Sequence, residues 1–151
     1  MKTKILLLIS LFSAFSLYQK QTRGNAEYDF ITKKTATQKD STLQKSMERG
    51  AQIYTDFCIQ CHQADGTGVA GTFPPLAKAD FLLENVDKSI HAVKFGLNGE
   101  ITVNEKIYAN AMPSPGLYDG EIADVMNYIL NSWENTHEEI ITQARVEAIE
   151  E

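Results

Sequence analysis

An all-α fold is predicted by three features of the 151-residue sequence. Apolar residues recur at three-to-four-residue spacing over 43–58 and again over 120–133, which marks one face of a helix in each segment. No stretch shows the apolar/polar alternation that a half-buried strand requires, and there are no internal repeats. The length leaves room for one ordinary domain. With 43% hydrophobic and 23% charged residues, the composition is that of a globular protein rather than a collagen-like or disordered one.

The chain opens on a pattern expected of an export signal or N-terminal anchor over residues 1–17. Lys2 and Lys4 form a positive start, Ile5 to Leu17 is apolar apart from small Ser and Ala, and Ala14-Phe15-Ser16 offers a small-residue cleavage site. The apolar run is shorter than the ~20 residues of a membrane span, and no Cys lies near it to carry a lipid. Residues 18–44, rich in Gln, Thr, Lys and Asn over 18–40, read as a flexible tether. Order is expected from the stripe Leu43, Met47, Ala51, Tyr54 and Phe57/Cys58, with Asp40 or Ser41 as N-cap. Gly50 falls inside this helix at a cost of ~1 kcal/mol relative to Ala, which points to close passage of another backbone.

Pro74-Pro75 ends any regular element after the Gly-rich stretch. A short helical turn is expected at 79–83 and a longer one over 88–95, started near Asn85 or Asp87 and stopped by Gly96. Residues 98–111 carry no clear pattern. The last strong helix is expected from about Gly120 to Trp133, with Asp119 as N-cap, acidic residues in its first turn and the stripe Ile122, Val125, Met126, Ile129, Trp133. In 135–151, Thr136 and Glu139 have capping-box spacing ahead of a thin apolar line, which suggests an acidic helical tail that is solvated or frayed, or else docks a partner.

Both Cys of the chain fall in Cys58-Ile59-Gln60-Cys61-His62. This CxxCH spacing fits thioether attachment of one covalent haem c, with His62 aimed at the iron as a metal ligand. A thioredoxin-like CxxC would need a βαβ setting and has no use for the following His, and a zinc site would need further ligands that His91 and His137 do not supply at motif spacing. Gly66-Thr67-Gly68-Val69-Ala70-Gly71 matches the letters of a dinucleotide fingerprint but lacks the strand before it. It is expected instead as a tight loop packed against a flat cofactor. For the second axial position four Met are available. Met1 lies in the signal, Met47 on the first helix and Met126 in the apolar stripe of the last. Met112 stands in the stiff loop Ala111-Met112-Pro113-Ser114-Pro115, where it either ligates iron through a soft thioether or simply packs.

These residues together resemble a class I (monohaem) c-type cytochrome of the bacterial kind. The resemblance covers about 45–134 and rests on Gly50, Tyr54, Cys58-Cys61-His62, Phe73-Pro74-Pro75-Leu76, Met112-Pro113-Ser114, Tyr128 and Trp133. It implies cytochrome c-like helices packed around the haem. Gly50 and Tyr54 would cross the last helix near Val125 and Tyr128, Pro74 would offer its carbonyl to His62 Nδ1, Leu76 would pack on the haem face, and Met112 would be the distal ligand. It also implies a single-electron carrier rather than an enzyme, working between redox partner proteins in a periplasmic or respiratory chain. The alternatives are a subunit fixed in a membrane oxidoreductase complex, or a haem enzyme with open iron if Met112 does not ligate.

Charge narrows the partners further. Residues 45–134 hold twelve acidic against six basic residues, and 135–151 hold five against one. Nucleic acid is thereby excluded, since phosphate binding wants clustered Lys and Arg. A lysine ring steering an acidic partner is not expected either.

Overall fold

The computed structural model describes residues 41–151, so the expected export signal and most of the tether lie outside the described residues. The described residues form α1 (residues 41–57), α2 (Ile59–His62), α3 (Asp80–Glu84), α4 (Val86–Phe95), β1 (Ile101–Val103), β2 (Lys106–Tyr108), α5 (Asp119–Leu130) and α6 (Gln143–Glu147). Among them, no helix is long and apolar enough to cross a membrane. Residues 42–151 form one compact unit around a core that includes Tyr54, Ile90, Val103, Ile122, Val125, Met126 and Leu130.

α1 buries a different line from the one its apolar spacing suggests. Ser46, Gly50 and Tyr54 are buried, whereas Met47 and Ala51 are only half-buried and Phe57 is exposed. The reason is the approach of α5. A Cβ on Gly50 would run into the Asp124 carbonyl and come within 2.8 Å of the Tyr128 Cβ. Only small residues fit so close a crossing, and polar bonds finish it. Ser46 Oγ donates to Asp124 Oδ1 at 2.6 Å, the Arg49 guanidinium donates to the same carboxylate, and Asn127 Nδ2 donates to Ser46 Oγ at 2.9 Å. Ser41 is already helical, and Asp40, the other residue expected as N-cap, lies outside the described residues.

α3 and α4 lie where Gly, Asn and periodicity place them, with Asn85 preceding α4 and Gly96 ending it at φ +89°. The expectation of no strands fails at 101–108. Ile101–Val103 pairs antiparallel with Lys106–Tyr108 in a two-stranded hairpin. Each strand is three residues long, and the turn uses Asn104 and Glu105 at φ 49° and 64°. Left-handed geometry at both positions is the primed hairpin turn, reached here without the glycine that normally announces it.

α5 begins one residue earlier than expected and stops sooner. Tyr118 is its N-cap, and Glu121 accepts from the Tyr118 backbone N–H at 2.9 Å. The helix ends at Leu130, where Asn131 leaves helical geometry at φ −126°, and Trp133 and Glu134 then turn to φ 52° and 68°. Trp133 thereby folds back, its indole 5.0 Å from the Tyr54 ring and 5.6 Å from the Tyr128 ring. The tail is anchored rather than frayed, although its acidic residues stay exposed. Residues 136–142 are irregular rather than helical, α6 is capped by Thr142 instead of Thr136, and Ile141 and Val146 join the core. Asn127 holds the tail by both amide atoms, donating to the Ile141 carbonyl and accepting from its N–H, each at 2.8 Å.

Gly50→Ala is expected to lower stability by about 1–3 kcal/mol, since the added methyl forces α1 and α5 apart. Thermal denaturation of the purified protein followed by circular dichroism checks this; an unchanged midpoint would show that the crossing can relax.

Candidate functional site

An apolar cleft opens beside α2, and residues from well-separated stretches of chain line it. Cys58, Cys61 and His62 come from the end of α1 and from α2, and Pro74, Pro75 and Leu76 from the loop after them. Ser89, Ala92 and Val93 come from α4, and Met112, Pro113 and Pro115 from the loop before α5. Val125, Met126 and Ile129 of α5 contribute further wall, as do Ile101 and Val103 of the hairpin. All six residues singled out from the sequence for this site therefore meet at one cleft.

Local sequence explains how each is held. α1 breaks at Cys58, but Cys58 N–H still reaches the Tyr54 carbonyl at 2.9 Å, so the CxxCH segment continues from a helix fixed at Gly50. Gln63 at φ 65° ends α2, and the Tyr54 hydroxyl donates to the Gln63 carbonyl at 2.7 Å. Burial of that phenol, with the nearby Cys58 next in weight, pushes the Tyr54 pKa well above its ordinary value, so it stays a donor. The chain then returns toward the site. Gly68 N–H donates to the His62 carbonyl at 3.0 Å, and the Gly66 carbonyl accepts from both Leu76 and Ala77.

The result of this return is the Pro74 carbonyl 2.9 Å from His62 Nδ1. The bond fixes the ring and assigns the proton to Nδ1, leaving Nε2 as the basic nitrogen. Burial lowers the His62 pKa, with the Pro74 carbonyl opposing it in part, so the imidazole is held in the neutral form that binds metal. Leu76 and the segment after it are tied down by Asn135, which donates to the Leu76 carbonyl at 2.9 Å and to the Ile129 carbonyl at 2.8 Å, and accepts from Lys78 N–H at 2.7 Å. Met112 is fixed by a reciprocal backbone pair with Leu97, 2.8 Å in each direction.

The Gly-rich loop differs from its expectation in one respect. Its flat neighbour is protein: a Cβ on Gly66 would strike the Trp133 indole, and one on Gly68 would strike the Phe73 and Pro74 carbonyls. Trp133 Nε1 also donates to the Ala64 carbonyl at 3.2 Å. The glycines thus shape the loop that delivers Pro74, and the element before them is the helix α2 rather than the strand a nucleotide site needs.

Thiol chemistry of the disulfide-exchange kind is disfavoured by the electrostatics. Burial and the neighbouring Cys61 push the Cys58 thiol up to about 11, whereas redox-active CxxC pairs depend on a lowered thiol pKa. Among the described residues, no cluster of three or more His, Cys, Asp or Glu could hold a metal ion by itself. An apolar cleft with paired thiols and a neutral, oriented imidazole suits a flat hydrophobic cofactor that brings its own metal. Sequence reasoning missed the hairpin wall, although the β-branched run Ile101-Thr102-Val103 was its available signal.

This fold and cleft are those of a small monohaem c-type cytochrome, and comparison with known proteins agrees. The cytochrome c family model matches residues 47–133, more than half of the chain, and the protein belongs to that family. It is 40% identical over 89 residues to cytochrome c-552 of Thermus thermophilus, a match covering 56% of this chain and 67% of that protein. It is 38% identical over 96 residues to cytochrome c6 of Gracilaria tenuistipitata var. liui, covering 62% of this chain and 80% of the relative. It is also 39% identical over 101 residues to the cytochrome c subunit of a quinone alcohol dehydrogenase from Gluconacetobacter polyoxogenes, but there the match spans only 21% of the relative. The cofactor is haem c, and electron transfer is the function the family implies.

Gly68 and Gly71 provide a paired test of the loop, since both adopt positive φ but only Gly68 faces backbone. Gly71→Ala is expected to cost about 1–2 kcal/mol for left-handed strain alone. Gly68→Ala should cost about 1–3 kcal/mol beyond that, because it also displaces the Pro74 carbonyl. Equal losses in thermal unfolding of the haem-loaded protein would show that the Pro74 contact is not under steric control.

Proposed function

We propose that the protein is a single-electron carrier whose haem is attached through Cys58 and Cys61 and ligated by His62 and Met112. The observation that carries this reading is the convergence of those four side chains on one cleft, with His62 Nδ1 already engaged by the Pro74 carbonyl. Bound haem supplies one-electron iron chemistry, with a potential raised by thioether ligation. The protein's own residues do the rest. Pro74 orients the imidazole, Leu97 fixes the backbone of Met112, and Leu76, Val93 and Ile129 exclude water from the cleft. With both axial positions filled, no site is left for a substrate, so the chain passes electrons between partner proteins rather than acting as an enzyme by itself.

The export pattern at residues 1–17 supports a periplasmic place in a respiratory or similar redox chain. A second reading is favoured by one comparison. Cytochrome c subunits of quinone alcohol dehydrogenases are 36–39% identical to this chain over the matched region, which supports a subunit fixed to a membrane dehydrogenase. Washing membranes with salt and then detergent separates the two: a diffusing carrier leaves with salt or earlier, whereas a fixed subunit needs detergent.

An optical spectrum tests the ligation. The oxidised protein should keep its haem through acid–organic extraction and show a methionine-to-iron charge-transfer band. Met112→Ala should abolish that band and lower the reduction potential by a substantial part of the ~0.8 V over which axial ligands tune haem iron. A band that survives Met112→Ala would exclude this residue, and a wild-type protein with no band would point to open iron and enzymatic chemistry. Replacing both Cys58 and Cys61 with Ala should remove covalent haem and leave the chain largely unfolded, because the apolar cleft between α2, α4, α5 and the Met112 loop would be left without its filling. A native helical signal in circular dichroism from that variant would contradict the second half of this expectation.

A further inference from the structure

The C-terminal segment lies beyond the family match, which ends at residue 133, yet it is bonded to the part of the fold that carries Met112. Lys94, in the last turn of α4, makes the connection. Its Nζ donates to the Val146 carbonyl at 2.9 Å and the Ile149 carbonyl at 3.3 Å, and pairs with Asp119 Oδ1 at 3.3 Å. The Lys94 side chain is only 18% exposed, so an ammonium there depends on these acceptors. Two of them are carbonyls at the end of α6, where a cation is favoured.

The other side of the same turn holds the Met112 loop. The Lys94 carbonyl accepts from Ser114 Oγ at 2.8 Å. Three residues on, Leu97 exchanges both backbone hydrogen bonds with Met112, and between them Gly96 packs so closely that a Cβ would lie 2.9 Å from the Met112 carbonyl. The tail is anchored at further points by burial of Ile141 and Val146, by the Asn127–Ile141 amide pair, and by Arg145 at 2.9 Å from Asp87 in the first turn of α4.

We infer that residues 136–151, acting through Lys94, form a strut that positions the Met112 loop against the cleft. This rests on the axial role proposed above for Met112. The acidic character of the segment belongs to its solvent face, whereas its backbone carbonyls and two buried apolar residues bear on the fold. Lys94 is accordingly a positioning residue. Without the strut, the last turn of α4 keeps its own helix but loses what braces it from behind, and the thioether departs before the fold does.

The test compares the haem-loaded full chain with a chain ending at Asn135, with Lys94→Met and with Lys94→Arg. Each is heated while the methionine-to-iron band and far-ultraviolet circular dichroism are recorded together. In the full chain both signals should be lost at one midpoint. In the truncated chain and in Lys94→Met, the band should disappear about 5–10 °C below the dichroism midpoint, and Lys94→Arg, which keeps cationic donors, should restore coincidence. Lys94→Met carries the test if the truncated chain does not fold. Band and dichroism falling together in every variant would make the tail merely structural and overturn the inference. A full chain with no band at all would overturn the Met112 reading first, and this inference with it.

Discussion

The close crossing of α1 and α5 governs where everything else can sit. A glycine at position 50 lets the α5 backbone come within contact of α1, and the Ser46–Asp124–Arg49 and Ser46–Asn127 bonds lock the depth and register of that contact. Cys58 and His62 then follow at two and three helical turns from Gly50, so their direction is set by a helix that cannot rotate without breaking those bonds. The aromatic group Tyr54, Tyr128 and Trp133 closes the crossing on the side where the chain turns back toward Pro74. One steric constraint thus fixes both the attachment segment and the loop that must reach it.

The chemistry of the cleft follows from how polar groups are spent around it. Backbone carbonyls and N–H groups near the site are paired with one another or with Asn135, Trp133 and Tyr54. What faces the cleft is largely apolar, apart from the Cys thiols, the free face of the His62 imidazole, the Ser89 hydroxyl and the Met112 thioether. A wall of this kind disfavours charge and gives a flat hydrophobic cofactor a dry, low-dielectric setting. None of the residues lining the cleft is acidic.

Much of this was legible from residues alone, and the exceptions have physical causes. Helix-ending Gly96 and the apolar periodicity of α5 act locally, so sequence spacing reads them directly. Cys58, Cys61 and His62 stood out because CxxCH is a chemical signature, and Met112 because Pro113 and Pro115 after it mark out a stiff loop, whereas Pro74 and Leu76 came only with the family resemblance. The hairpin escaped because three-residue strands are too short to show a period, and its turn places Asn and Glu in left-handed geometry that glycine usually occupies. The tail was misjudged because only Ile141 and Val146 carry its burial, while its main polar anchor, Asn127, lies on a helix where an Asn reads as solvent-facing. Trp133 was assigned to the end of α5, but its positive φ turns it onto Gly66, a contact that depends on tertiary placement.

The central claim is that a methionine from the loop before α5 completes the iron coordination begun by His62. The most direct measurement is nuclear magnetic resonance of the reduced, haem-loaded protein with its methionine methyl groups labelled with carbon-13. A methyl group bound at the axial position sits over the porphyrin ring, whose current shifts its protons far upfield. The account predicts one such resonance, missing from the Met112→Ala protein, with the methyl group of Met47 at an ordinary position and that of Met126, in the cleft wall, shifted far less. All methyl resonances in the ordinary range, or an upfield one that persists without Met112, would contradict it.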